Sequence, residues 1–208
     1  LSMKSHAQVV IVGGGIMGVS LLYHLTKEGW RDIVLIEKGE LTSGSTWHAA
    51  GQCPHFVGSY NAAKIHNYSN KLYQELEKET GQSTGWHGCG SLRLALKEED
   101  VNWFHYVKGI LDNVGSPAEF VPKEKILDLH PFLKIEDVLC ALHTPEDGHT
   151  DPTGATNAMA IAARKAGAEI YRHNRVLEIK DLPSGEWEVI TCLLYTSDAA
   201  DDTPCVDL

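Results

Sequence analysis

The sequence predicts an α/β protein on three observations. A strand–glycine turn–helix–strand unit opens the chain, a helix followed by a strand pair fills residues 147–191, and the stretch between carries helices and strands of its own. Elements in that order describe a Rossmann-like domain interrupted by an insertion, not two domains joined end to end. The 208 residues suffice for one large domain or a domain and a half. No internal repeat or low-complexity linker precedes the last stretch.

The opening unit, "AQVVIVGGGIMGVSLLYHLTKEGWRDIVLIEKGE" (7–40), justifies the class. Val9 to Val12 form a continuous β-branched run, the pattern of a strand covered on both faces. Gly13, Gly15 and Gly18 fill a G-x-G-x-x-G spacing. The first glycine permits a tight turn, the second lets a pyrophosphate reach the backbone, and the third lets the helix pack closely on the strand. The helix start offers unpaired N–H groups and a positive dipole end to phosphates. Val19, Leu22 and Leu25 keep helical spacing, and Gly29 is the expected stop. Residues 32–38 read as the second strand, ended by Glu37, 19 residues after Gly18. A carboxylate there accepts hydrogen bonds from ribose hydroxyls and disfavours a ribose 2′-phosphate, so NADP fits least well. These residues leave FAD and NAD undecided.

Downstream, residues 61–81 read as a helix with Ile65, Tyr68, Leu72 and Leu76 on one face. Residues 90–96 alternate as a strand. The segment 98–115 is a second helix with Val101, Phe104, Val107 and Leu111 inward. The helix over 147–167 has Asp151 as its cap, Pro152 at its first position and Gly167 as its stop. Residues 168–180 supply a strand, a turn and a strand, and 175–191 alternate on both sides of a Pro-Ser-Gly turn as a hairpin.

Composition excludes several classes. A net charge of −10 argues against nucleic acid, because no basic patch is dense enough for a phosphate backbone. No apolar run approaches a membrane span, and no secretory signal is evident. Five cysteines without a CxxC pair suit a reducing compartment, and eleven histidines lack metal-ligand spacing. His87 and Cys89 in "HGCG" are too close together for a metal site and read as a turn. Trp86 and Trp103 read as core or interface aromatics, and His149 as a polar loop residue. Met3 reads as an initiator behind a ragged start. The final "CLLYTSDAADDTPCVDL" (192–208) breaks the alternation and resembles translated sequencing-adapter read-through, so we read it as a non-native tail on a truncated protein. Without it, 28 − 4 = 24 acids face 18 bases, a net charge of −6.

The stretch "IEKGELTSGSTWHAAGQ" (36–52) is the most specific. It resembles the glycine oxidase and D-amino-acid oxidase superfamily of FAD proteins, most closely its dimethylglycine and sarcosine dehydrogenase branch. The resemblance continues through 68–96 and 147–172, nearly the whole chain before the tail. It implies a glutathione-reductase-type FAD/NAD(P)-binding domain interrupted by the start of an α+β substrate domain, into which the strand and helix of 117–133 would lead. The implied division is residues 1–80, an excursion over 81–146, a return over 147–191, and the tail. In that branch the histidine of the motif is bonded covalently to the flavin, and here it is His48. The implied cofactor contacts are Gly13, Gly15, Ile16, Met17, Gly18, Glu37, Lys38, Gly44, Ser45, Thr46, Trp47, His48, Ala49, Ala50, Gly51, Gln52 and the Val176 backbone at the adenine. The small residues would admit the pyrophosphate and isoalloxazine edge, with Ser45 and Thr46 as hydroxyl donors.

The implied activity is oxidation of an N-methyl group of a small amino acid, by hydride transfer to the flavin. Formaldehyde would be released, or tetrahydrofolate would take up the one-carbon unit in a domain further along. Electrons would pass to an electron-transfer flavoprotein or similar acceptor. The implied location is the cytoplasm, or the mitochondrial matrix in a eukaryote. No catalytic residue is assigned, because the resemblance places the amine pocket largely beyond this chain. Two alternatives stand beside this: a regulatory branch acting on pyruvate dehydrogenase phosphatase, to which "YSNKLY" (68–73) is also similar, and an oxidase with noncovalent flavin. The resemblance assigns the tryptophan–histidine pair to the dehydrogenases and not to the regulators.

Overall fold

A computed structural model describes residues 3–192, so the tail reading beyond Cys192 lies outside the described residues. The chain runs β1 (Val9–Val12), α1 (Ile16–Lys27), β2 (Ile33–Ile36), a 3-10 turn (Thr46–His48), β3 (Gln52–Cys53) and α2 (Tyr60–Thr80). It continues with β4 (Ser91–Ala95), α3 (Glu98–Val114), β5 (Glu119–Pro122), α4 (Lys123–Leu129), β6 (Cys140–Thr144) and β7 (Gly148–His149). It closes with α5 (Pro152–Lys165), β8 (Glu169–Tyr171), β9 (Val176–Asp181) and β10 (Trp187–Thr191). Among the described residues two compact units result, one within 3–50, 76–84 and 152–192, the other of 51–75 and 85–151.

In the first unit β1, β2 and β8 form a parallel sheet with β2 at its centre. All four side chains of β2 are buried, as an apolar strand between two neighbours requires. β1 departs from the expectation of cover on both faces: only Ile11 is buried, and Val12 is 52% exposed. Its β-branched run stands on an edge strand whose end opens into a groove. α1 buries Val19, Leu22 and Tyr23 and packs against α5, where Gly154, Ala155, Ala158 and Ala162 let the helices approach closely. Burying Leu22 and Leu35 completely contributes about 1.5–3 kcal/mol each. The expected stops hold: Gly29 (φ 87°) follows α1 and Gly167 (φ 97°) follows α5. The 175–191 hairpin forms as β9 against β10, with Gly185 at φ 83° in its turn.

In the second unit β4, β6 and β5 make an antiparallel sheet in that order. One cluster on it joins Val121, Ile126, Val138 and Ala141, and another joins Ala95, Phe104 and Leu142. In α3, Phe104, Val107 and Leu111 are buried as the spacing predicts. Asp100 accepts the N–H groups of Leu96 (3.0 Å) and Lys97 (3.2 Å), and Gly115 closes the helix at φ 72°.

The expected face of α2 needs correction. Leu72 and Leu76 are buried, but Ile65 is 64% and Tyr68 49% exposed. The covered positions of its first half are Ala63, His66, Asn67 and Asn70. The polar three reach backbone carbonyls at or beside element ends: His66 meets Pro54, Asn67 donates to Val114 and Asn70 to Cys53. Hydropathy misses such a face, because it is built from hydrogen bonds. His149, expected in a loop, sits instead on β7, where it pairs with Gln52 of β3.

Candidate functional site

The glycine turn is fixed by backbone conformation at Gly13 and by contacts that leave no room for side chains at Gly14 and Gly18. Gly13 lies at φ 108°, and its N–H donates to the Ile36 carbonyl at 2.8 Å. A Cβ at Gly18 would fall 2.0 Å from the Gly13 carbonyl oxygen, so only glycine lets α1 start this close to β1. A Cβ at Gly14 would meet Leu41 at 2.6 Å and Glu37 at 2.9 Å. Glu37, just past β2, is buried and accepts the Gly14 N–H at 2.6 Å and the Gly39 N–H at 2.7 Å. The carboxylate therefore ties the turn to the strand end. Thr42, at φ 69°, donates its N–H to the Gly14 carbonyl at 3.0 Å and holds the 40s loop beside the turn.

The expectation of free N–H groups at the start of α1 is met only in part. Ile16 donates to Thr46 Oγ1 at 3.0 Å, so Thr46 caps the helix from thirty positions away. Thr46 was expected as a hydroxyl donor to the cofactor; its oxygen is engaged as an acceptor here. Gly15 keeps its N–H without a protein acceptor among the described residues.

These residues line a groove of about 760 Å³ in the first unit, a volume suited to much of a dinucleotide. It brings together Gly13, Gly15, Glu37, Lys38, Gly44, Ser45, Thr46 and Val176 of the expected contacts. Sequence reasoning missed Val12, Gly14, Ile36, Gly39, Glu40, Ser43 and Arg175, which also line it. Gly14 was legible as the third member of "GGG"; the others carry no local signal. Ile16 and Gly18 support the turn without lining the groove, and Met17 is 82% exposed. Trp47 and His48 follow the lining residues on the 3-10 turn, their rings 3.8 Å apart. His48 is exposed, with Nδ1 3.2 Å from the Gly44 carbonyl. Ala49 and Ala50 are exposed beyond it. Gly51 and Gln52 belong to the second unit, where the Gly51 carbonyl accepts the Thr150 N–H and Gln52 pairs in β3.

The second unit holds a polar cluster that sequence reasoning did not find. Asp147 accepts the backbone N–H and ring Nδ1 of His55, each at 2.7 Å, and the hydroxyls of Ser91 and of Thr144. Burial opposes its ionisation, but these hydrogen bonds outweigh burial and hold the carboxyl below its ordinary range. Burial, reinforced by the Asp147 charge, pushes the Cys53 thiol up to about 11, so it is protonated at neutral pH and no nucleophile. Among the described residues no group of three or more His, Cys, Asp or Glu side chains is placed to hold a metal.

A parallel sheet, a glycine turn with no room for a Cβ at Gly14 or Gly18 and a carboxylate beyond the next strand define a dinucleotide-binding protein. Residues 8–204 match the family described as DAO, FAD dependent oxidoreductase, and the chain belongs to it. It is 46% identical over 188 residues to dimethylglycine dehydrogenase, mitochondrial, of Rattus norvegicus, covering 90% of this chain and 22% of that protein. It is 41% identical over 179 residues to the pyruvate dehydrogenase phosphatase regulatory subunit, mitochondrial, of Mus musculus, covering 86% of this chain and 20% of that one. Among solved structures, L-proline dehydrogenase from P. horikoshii superposes with a TM-score of 0.83 at 28% identity, over 92% of this chain and 50% of that one. The chain thus spans about a fifth of the length of these curated relatives.

Proposed function

We propose that the chain is the nucleotide-gripping part of an FAD-dependent enzyme that oxidises an N-methyl group of a small amino acid, of the dimethylglycine or sarcosine type. The observation that carries this reading is His48, exposed one 3-10 turn past the groove-lining residues. If Nδ1 carries its proton toward the Gly44 carbonyl, Nε2 is left with a lone pair, the form of imidazole able to bond a flavin covalently. The identity to dimethylglycine dehydrogenase supports the substrate class.

Bound FAD would supply the hydride acceptor. The residues of this chain bind and orient it: Gly15 and the α1 N-terminus take the pyrophosphate, Glu37 the ribose, and His48 the tether. Loss of a hydride from an N-methyl carbon leaves an iminium, and water then releases formaldehyde. An electron-transfer flavoprotein or similar acceptor would reoxidise the enzyme, and tetrahydrofolate would collect the one-carbon unit in a further domain. The division into nucleotide-binding segments (1–80 and 147–191) and an excursion (81–146), with a non-native tail after 191, belongs to the same proposal. A matrix location is supported by the mitochondrial relatives; none of the described helices is long and apolar enough to cross a membrane.

A regulatory role is the second reading, favoured by the identity to the phosphatase regulatory subunit. Anaerobic mixing of the full-length protein with dimethylglycine or sarcosine separates the two. Bleaching of the flavin absorbance with stoichiometric formaldehyde is the expected result; a flavin that neither amine bleaches would favour the regulator.

A further inference from the structure

We propose that Arg175 clamps the adenine ring of the bound dinucleotide, its planar guanidinium lying on the face of the base. The proposal rests on the reading of the groove as the dinucleotide site. The pyrophosphate end of the groove is fixed by the glycine turn, and the ribose by Glu37. The base must then continue past Glu37, where the remaining lining residues are Lys38 to Glu40 and Arg175 to Val176. Two backbone bonds hold these segments together: Asn174 N–H to the Glu37 carbonyl at 3.0 Å, and His173 N–H to the Gly39 carbonyl at 3.3 Å.

The two carboxylates at that end are already matched. Both oxygens of Glu40 are occupied, one by the Arg172 guanidinium and one by His173 Nε2 at 2.7 Å. Both oxygens of Glu37 are taken by glycine amides. Arg175 lines the groove beside them and forms no ion pair among the described residues. Its backbone follows directly on Asn174, which the bond to the Glu37 carbonyl holds in place. A half-buried cation on a backbone held there could meet a ribose 2′-phosphate or a purine face. The buried carboxylate of Glu37 at the ribose repels the first, and a purine face attracts a guanidinium without a countercharge.

The test uses the full chain carrying His48→Ala, so that no tether holds the flavin, with Arg175 intact or changed to Gln or Lys. FAD, ADP and inorganic pyrophosphate are titrated by calorimetry. Both Arg175 variants should weaken FAD and ADP by about tenfold and leave pyrophosphate unchanged. Lys should not rescue, because an ammonium has no plane to stack. Weakening of ADP by less than about twofold, rescue by Lys, or equal loss of pyrophosphate would each overturn the clamp. If the parent with Arg175 intact binds neither FAD nor ADP, the groove reading itself fails and the proposal falls with it.

Discussion

At Asp147 four donors converge on one buried carboxylate, and the pH response of the second unit should follow from them. The folded-state pKa is depressed, so the carboxylate's contribution is fully present above the unfolded aspartate value near 3.9 and fades as pH falls through that value toward the lower folded one. Asp147→Asn removes the charge and replaces one accepting oxygen by an NH₂ that cannot accept. We expect it to lower stability at neutral pH by about 2–3 kcal/mol, with the deficit shrinking below about pH 4. Urea unfolding at several pH values checks this; a deficit constant from neutral to acid pH would show that the charge contributes nothing. Residues of this kind escape sequence reading, since His55 and Asp147 are 92 positions apart and nothing local links them. Glu37 was legible because its distance from the glycine turn is set by one helix and one strand. Thr46 was legible as a member of the motif but not in its role, which depends on a contact with Ile16 across the loop.

At the scale of elements, α2 separates pattern from burial. Ile65 and Leu76 look alike in the sequence, yet one is 64% and the other 0% exposed. Leu76→Ala should cost about 2–5 kcal/mol, whereas Ile65→Lys should stay within about 0.5 kcal/mol. Thermal melts of the two variants check the assignment, and comparable losses would refute it. Where inward side chains are apolar, as in α3, the spacing alone located the helix and most of its buried face. In α1 it gave Val19 and Leu22 but not Tyr23 and Thr26, and Leu25 is only partly buried. Where inward side chains are Asn and His bonded to backbone carbonyls of neighbouring segments, the same spacing pointed outward. β1 shows the complementary limit: its composition announces a covered strand, but an edge position beside the groove leaves Val12 exposed.

Across the whole molecule, the order of elements was readable because each follows from local signals: glycine stops, a proline at the first turn of α5, and alternation in the last hairpin. The pairing of β8 beside β2 is not local, joining residues some 135 positions apart such as Val34 and Glu169. Membership of the FAD dependent oxidoreductase family and the groove in the first unit agree on the cofactor class. The proposed amine-oxidising role rests on the imidazole that follows the groove. The most direct test is acid precipitation of the full-length protein and of its His48→Ala variant, with flavin absorbance read in pellet and supernatant. The account predicts yellow pellets from the parent, and flavin only in the supernatant from the variant. Flavin released from the parent by acid, or retained by the variant's pellet, would contradict it.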